Sequence, residues 1–157
     1  MFGNNEIGVL QPIAEIGALC REKGVLFHCD AVQALGRVPI DVKSMKIDLL
    51  SISAHKMYGP KGVGCLYVRR KNPRVRLTSQ MDGGGHERGM RSGTLNVPGI
   101  VGLGAACAVA EKDLEKDMAH SIAMRERFEE KIFGALDHVA INGNENSRLP
   151  GCSNLSF

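Results

Sequence analysis

No run in this chain approaches the roughly 20 apolar residues that a membrane-spanning helix needs, which excludes an integral membrane protein of that kind. After Met1 come Phe2, Gly3, Asn4, Asn5 and Glu6, with no basic segment leading into an apolar one, so no signal peptide is visible. The five cysteines are widely spaced, odd in number and include no CxxC pair, which argues against a zinc site and a disulfide framework. The five histidines show no metal-ligand spacing such as HxxxH. Net charge is only +3 and hydrophobic content 43%, which excludes a disordered chain. At 157 residues the chain is one domain or part of a larger one. It is expected to be soluble, intracellular and globular, with five reduced thiols that are mostly small buried apolar side chains.

Glycine, by contrast, is abundant: 19 residues, about 12% against a usual share near 7%. The glycines bunch between Gly59 and Gly104 without a collagen-like period, which indicates tight turns and close backbone approach. Ile13, Ile16, Leu19 and Cys20 form a helical stripe over Pro12–Lys23, and Gly24 suits its end. Val25-Leu26-Phe27 reads as a buried strand finishing in His28-Cys29-Asp30, Ile47 to Ile52 as a second ending near Ser53, and Val63 to Val68 as a third. Apolar strands separated by helical segments predict an α/β layered fold. Arg69 to Gly93 is polar, basic and glycine-rich, and reads as a long loop of functional type. Pro98 then opens a long helix. Its first half, Ile100 to Ala110, is small and apolar and is expected to be buried at close range; its second half is amphipathic. Val139–Ile141 and Asn154–Phe157 read as short strands, the second stopping in mid-element.

Four constellations could carry chemistry. Asp30 ends a buried strand with Gln33 one turn onward, where open α/β sheets bind ligands; equally, Asp30 could cap a helix containing Ala31 to Leu35. Ser53-Ala54-His55-Lys56 again follows a buried strand, ahead of Tyr58-Gly59-Pro60-Lys61-Gly62. A lysine between Ser, His and a Gly-rich turn suits Schiff-base chemistry, which needs an amine in a site that depresses its pKa. Most of the nine lysines are nonetheless surface charges. No Gly-Lys-Ser/Thr follows the glycines of this turn, so it is not a P-loop. Gly83 to Thr94 places arginines, hydroxyls and backbone amides before a helix, as an anion site would; from composition alone a mobile basic loop is favoured. Arg69 to Arg76 carries five cations in eight residues, but no interleaved aromatic, so a solvated loop outweighs a nucleic-acid patch.

Taken in order, Asn4-Asn5-Glu6-Ile7-Gly8, His28-Cys29-Asp30-Ala31-Val32-Gln33, Ser51 to Gly62 and Arg88-Gly89-Met90-Arg91-Ser92-Gly93-Thr94 closely resemble the cysteine desulfurases of the IscS/NifS type. These belong to the class V aminotransferase superfamily. The similarity runs through essentially the whole chain, to Pro150–Phe157.

The resemblance implies an aspartate-aminotransferase-like α/β fold (PLP fold type I) with a mostly parallel sheet, and pyridoxal 5'-phosphate as cofactor. It implies a homodimer whose sites lie at the subunit interface. The implied reaction takes L-cysteine to L-alanine and an enzyme persulfide, which serves iron-sulfur scaffold proteins, tRNA thiolation and other sulfur acceptors. Residue by residue, Lys56 resembles the Schiff-base lysine, Asp30 the partner of the pyridine nitrogen and Gln33 the partner of the ring's phenolic oxygen. Asn5 resembles a further cofactor contact. Ser53 and His55 resemble phosphate ligands, and Thr94 the phosphate ligand given by the other subunit.

Direct binding to nucleic acid or membrane is not implied. The compartment implied is the bacterial cytoplasm, or the mitochondrial matrix in a eukaryote. The family's earlier phosphate turn and ring-stacking histidine, and its later loop with the sulfur-accepting cysteine, have no match in this sequence. The expectation is therefore a fragment truncated at both ends. Residues 1–138 would be part of the cofactor-binding large domain and 139–157 the start of a small C-terminal domain. Such a fragment is expected to be inactive alone and to bind cofactor poorly. Another class V enzyme (a selenocysteine lyase or an aminotransferase) and a non-catalytic remnant are the rival readings.

Overall fold

The computed structural model describes all residues from Met1 to Phe157. Helix α1 spans Ile13–Glu22 and buries Ile13 and Gly17. Strand β1 is His28–Asp30, β2 is Leu49–Ser53 and β3 is Gly64–Val68, in the order β1-β2-β3. A 3₁₀ turn over Ala54–Met57 leaves β2, and helix α2 runs from Val97 to Ala135. Two short antiparallel strands, β4 (Ala140–Ile141) and β5 (Leu155–Ser156), close the chain.

β1 pairs with β2 in parallel, with Asp30 opposite Ser51, whereas β3 pairs with β2 antiparallel. The expected parallel arrangement is thus met by one of the two pairings in this chain, and the sheet is mixed. The reason is the short link: a parallel crossover needs a dozen or more residues, and only Ala54 to Val63 joins β2 to β3. The strand foreseen from Val25 is also shorter, because Val25 and Leu26 lie outside it and stay exposed. Ala31–Leu35 forms successive turns rather than a helix, held by Ala34 and Leu35 N–H groups donating to Ala31 O.

The main core lies against one face of this sheet. It joins Phe2, Ile13, Cys29, Ala31, Ala34, Val38, Ile47 and Leu50. A second cluster of Ala54, Met57 and Leu103 seats α2 on the turn after β2. That seating needs glycine at position 102, where a Cβ would run into the ring of Pro60. Asn96 caps α2, its side-chain oxygen accepting from Gly99 N–H at 3.1 Å. The expected close burial of Ile100–Ala110 is corrected. Only Leu103 is fully covered there, while Ile100, Val101 and Val109 are exposed, because α2 meets the rest of the chain along one stripe.

Two buried carboxylates fasten the elements. Asp48 is 2% exposed, and its Oδ1 receives Arg21 at 2.8 Å and Arg69 at 3.0 Å. Its Oδ2 accepts the Phe27 N–H at 3.1 Å. Arg69 also donates to the Ile47 and Val42 carbonyls. It is therefore no member of a solvated basic run, although Arg70, Lys71, Arg74 and Arg76 are exposed. Glu129, on α2, takes both terminal nitrogens of Arg148 at 2.7 and 2.8 Å and the Ser153 hydroxyl at 2.8 Å. The amino-terminal hairpin reaches the same C-terminal segment through Leu149 N–H donating to Gly8 O at 2.8 Å.

Asp48→Ala leaves two guanidinium groups without their buried partner, so it is expected to cost about 3–5 kcal/mol in urea denaturation. Lys71→Ala, on the exposed loop, should stay within about 0.5 kcal/mol. Burial alone would raise the Glu129 carboxyl, but hydrogen bonds from Arg148 and Ser153 and the nearby Arg148 and Arg125 charges outweigh it, leaving it below its ordinary value. A depressed carboxyl stabilises the fold above the unfolded value and loses that contribution as pH falls through the folded one. Stability should therefore decline on acidification below about pH 4.5. Glu129→Gln should lower stability at neutral pH and flatten that decline, as followed by thermal melts across pH.

Candidate active site

Parallel pairing brings the carboxyl ends of β1 and β2 side by side, and that edge is where the candidate residues gather. Asp30 closes β1 and Ser53 closes β2. Paired residues of adjacent strands share a face, so His28, Asp30, Ser51 and Ser53 all project from one side of the sheet. The opposite side carries Cys29, Leu50 and Ile52 toward the core. This polar face is exposed to half-buried.

Asp30 uses one carboxylate oxygen locally: Oδ1 accepts the Val32 N–H at 2.9 Å. The capping reading of Asp30 therefore holds for the turn that follows β1, and its second oxygen has no protein donor. Ser53 Oγ and His55 Nδ1 lie 2.8 Å apart, and His28 Nε2 and Ser51 Oγ likewise 2.8 Å. The latter pair was not foreseen in the sequence, although the two-residue spacing of His28 and Asp30 on one strand places them on one face.

Lys56 is half-buried in the 3₁₀ turn that starts as β2 ends. That turn closes through Gly59 N–H donating to Ala54 O at 2.9 Å. Tyr58 ends it at φ 64°, a left-handed conformation unusual for a bulky residue, with its side chain fully in solvent. Lys56 also borders a cleft of ≈ 790 Å³ between this turn and α2, lined by Tyr58, Pro60, Ala106, Val109 and His120 among others. Asp30, Ser53 and His55 lie outside that lining, so the cleft meets the strand edge only at Lys56.

Asn5 is exposed at the tip of the hairpin that bridges Gly3 to Leu10, and this hairpin is tied to the end of β1 by Phe2 N–H donating to Asp30 O at 2.7 Å. Gln33 is half-buried in the turns after Asp30. Thr94 is exposed ahead of α2 and shares no hydrogen bond with the Asp30–Lys56 group. The glycine-rich segment before it folds onto itself. Gly85 N–H donates to Ser92 Oγ at 3.2 Å and Gly93 N–H to His86 Nδ1 at 3.3 Å, which occupies two of the amides proposed for an anion.

The matching family profile, Aminotransferase class-V, spans residues 1–157. The chain belongs to the class-V aminotransferase family. Cysteine desulfurase IscS of Anaeromyxobacter dehalogenans (strain 2CP-C) is 59% identical over 157 residues, all of this chain and 39% of that protein. A cysteine desulfurase of Pongo abelii is 56% identical over the same residues, 34% of its length. The X-ray structure of a NifS-like protein from Rickettsia africae ESF-5 superposes with a TM-score of 0.88 at 37% identity, covering 95% of this chain and 40% of that one. The fold is that of the class-V, NifS-like PLP fold type I enzymes, and the chain spans about two fifths of the length of the curated relatives it matches.

All five cysteines of this class-V chain are free. Their expected burial holds fully only for Cys29, which is 1% exposed; Cys65 is exposed and the other three are half-buried. Burial pushes the Cys29 thiol up, and the Asp30 charge adds to this. Burial raises Cys107 and Cys65 as well, so access is what separates the buried Cys29 from the exposed Cys65. A thiol held protonated is a poor nucleophile. In the native chain Cys29 should resist an aromatic disulfide reagent at neutral pH long after Cys65 has reacted, and urea should release all five thiols. Rapid labelling of native Cys29, read by peptide mass mapping, would contradict its placement.

Proposed function

We propose that the chain is the core of a pyridoxal 5'-phosphate-dependent cysteine desulfurase. Its substrate would be L-cysteine, and the sulfur would pass to iron-sulfur scaffold and other acceptor proteins. The observation that carries this reading is the placement of Lys56 just beyond the end of β2, with Asp30 closing the same end of its parallel neighbour β1. The high identity to named cysteine desulfurases supports the choice of reaction over another class V chemistry.

The donor set fits the cofactor. Asp30 offers a carboxylate oxygen without a protein donor, which suits a protonated ring nitrogen. Ser53 and His55, already 2.8 Å apart, offer a hydroxyl and an imidazole to a phosphate dianion. When bound, pyridoxal phosphate supplies an electron sink for the bond-breaking at the substrate Cα. The Lys56 amine would hold the cofactor and would take up the Cα proton. Gln33 and Asn5 would contact the ring from the turns after β1 and from the hairpin. Thr94, which shares no hydrogen bond with this group in its own chain, would reach the phosphate of a second copy in a homodimer. Residues 139–157 would open a smaller second domain, and the compartment would be the bacterial cytoplasm or the mitochondrial matrix.

Borohydride reduction of the full-length, cofactor-loaded enzyme, followed by peptide mass mapping, should place the pyridoxyl group on Lys56. Label on Lys61 instead would overturn the assignment. Asp30→Asn should keep part of the cofactor binding while turnover of the active enzyme falls by several orders of magnitude, since each 1.36 kcal/mol or so of lost transition-state stabilisation is about tenfold in rate. Near-parental turnover would reduce Asp30 to a turn cap.

A further inference from the structure

We propose that His28 and Ser51 form a positioning pair that holds the Ser51 hydroxyl away from Asp30, keeping one carboxylate oxygen free for the cofactor's ring nitrogen. The inference rests on the role proposed for Asp30 and names two residues that act through it.

The geometry is that of two adjacent parallel strands. Asp30 and Ser51 stand directly opposite one another in the register, on the same face. Neighbouring strands lie about 4.8 Å apart, so a serine hydroxyl at that position can swing to a carboxylate across the gap. It does not do so. The Ser51 hydroxyl pairs instead with His28 Nε2 at 2.8 Å, one step back along the sheet. Ser51 Oγ has no other protein partner, and in the tautomer that leaves Nε2 bare the hydroxyl donates to the imidazole.

The consequence for Asp30 is chemical. Its Oδ1 is already engaged by Val32 N–H, so Oδ2 is the oxygen left for a ligand. A hydroxyl bound to that oxygen would stabilise the carboxylate and compete with the ring N–H for the same lone pairs. His28 occupies the competing hydroxyl by holding it at Nε2, 2.8 Å away. The imidazole need not touch the cofactor for this role, and Ser53 is left to pair with His55.

This arrangement makes a prediction that simple structural support does not. Ser51 should matter to Asp30 only when His28 is gone. The carbon-13 carboxyl resonance of Asp30, recorded for the protein without cofactor at neutral pH, reads this directly. Ser51→Ala should leave the resonance unmoved. His28→Ala should shift it, and adding Ser51→Ala to His28→Ala should shift it again as the hydroxyl is lost. In parallel, titration of the full-length enzyme with pyridoxal 5'-phosphate should give a dissociation constant about tenfold weaker in His28→Ala and largely restored in the double variant, the scale of one hydrogen bond to a charged group. The proposal is overturned if Ser51→Ala moves the resonance equally with and without His28, or if the double variant binds no better than His28→Ala. The reading of the site fails separately: Asp30→Asn would then bind pyridoxal 5'-phosphate as the parent does, and Lys56 would take no label, whatever the resonance shows.

Discussion

A single buried carboxylate organises the sheet edge. Asp48 sits just ahead of β2 and is held by Arg21 from the end of α1, by Arg69 from the end of β3 and by the Phe27 amide leading into β1. These contacts join the approach to the first strand, the start of the second and the exit of the third. A charge so enclosed is tolerated only because its lone pairs are met by two guanidinium groups and a backbone N–H. The parallel register of β1 and β2 follows from this clamp together with the Phe27 carbonyl, which accepts the amides of Asp48 and Leu49. Without that register Asp30 and Ser53 would not share an edge.

The second organising contact is apolar and lies at α2. The long helix rests on the turn that carries Lys56 through Leu103 and through the bare backbone at Gly102. Interiors pack tightly enough that such a contact fixes a distance rather than suggesting one. Lys56 is therefore placed from two directions, by the end of β2 below and by the helix beside it. Farther along the same helix, Glu129 takes hold of Arg148 and Ser153, so one element positions both the lysine turn and the C-terminal segment.

Much of this edge is legible in the sequence because its signals are local. A short apolar run ending in Asp30, and another ending in Ser53, state where strands stop, and the residues just past them are the candidates. The start of the long helix also follows, since Pro98 signals a beginning that the structure places at Val97. What escapes is long-range. Nothing near Asp48 announces that its partners are Arg21 and Arg69, and a cationic run reads as solvated until one of its members is found buried. The antiparallel β3 and the exposed flank of α2 escape for the same reason, since both depend on what lies alongside rather than on composition. The His28–Ser51 contact is visible only once the register between two strands is known.

The meeting of the amino-terminal hairpin with the C-terminal segment bears on how the protein acquires its shape. Ser147 Oγ donates to Leu10 O across 137 residues, and Asn154 reaches Glu6 O across 148. Contacts at such separation form late, because the loop between them must be closed at an entropic cost that local helices and turns do not meet. During synthesis the hairpin bearing Asn5 precedes its partner segment by well over a hundred residues and waits for it. The tip of that hairpin is thus made before the elements that lie between and fastened after them.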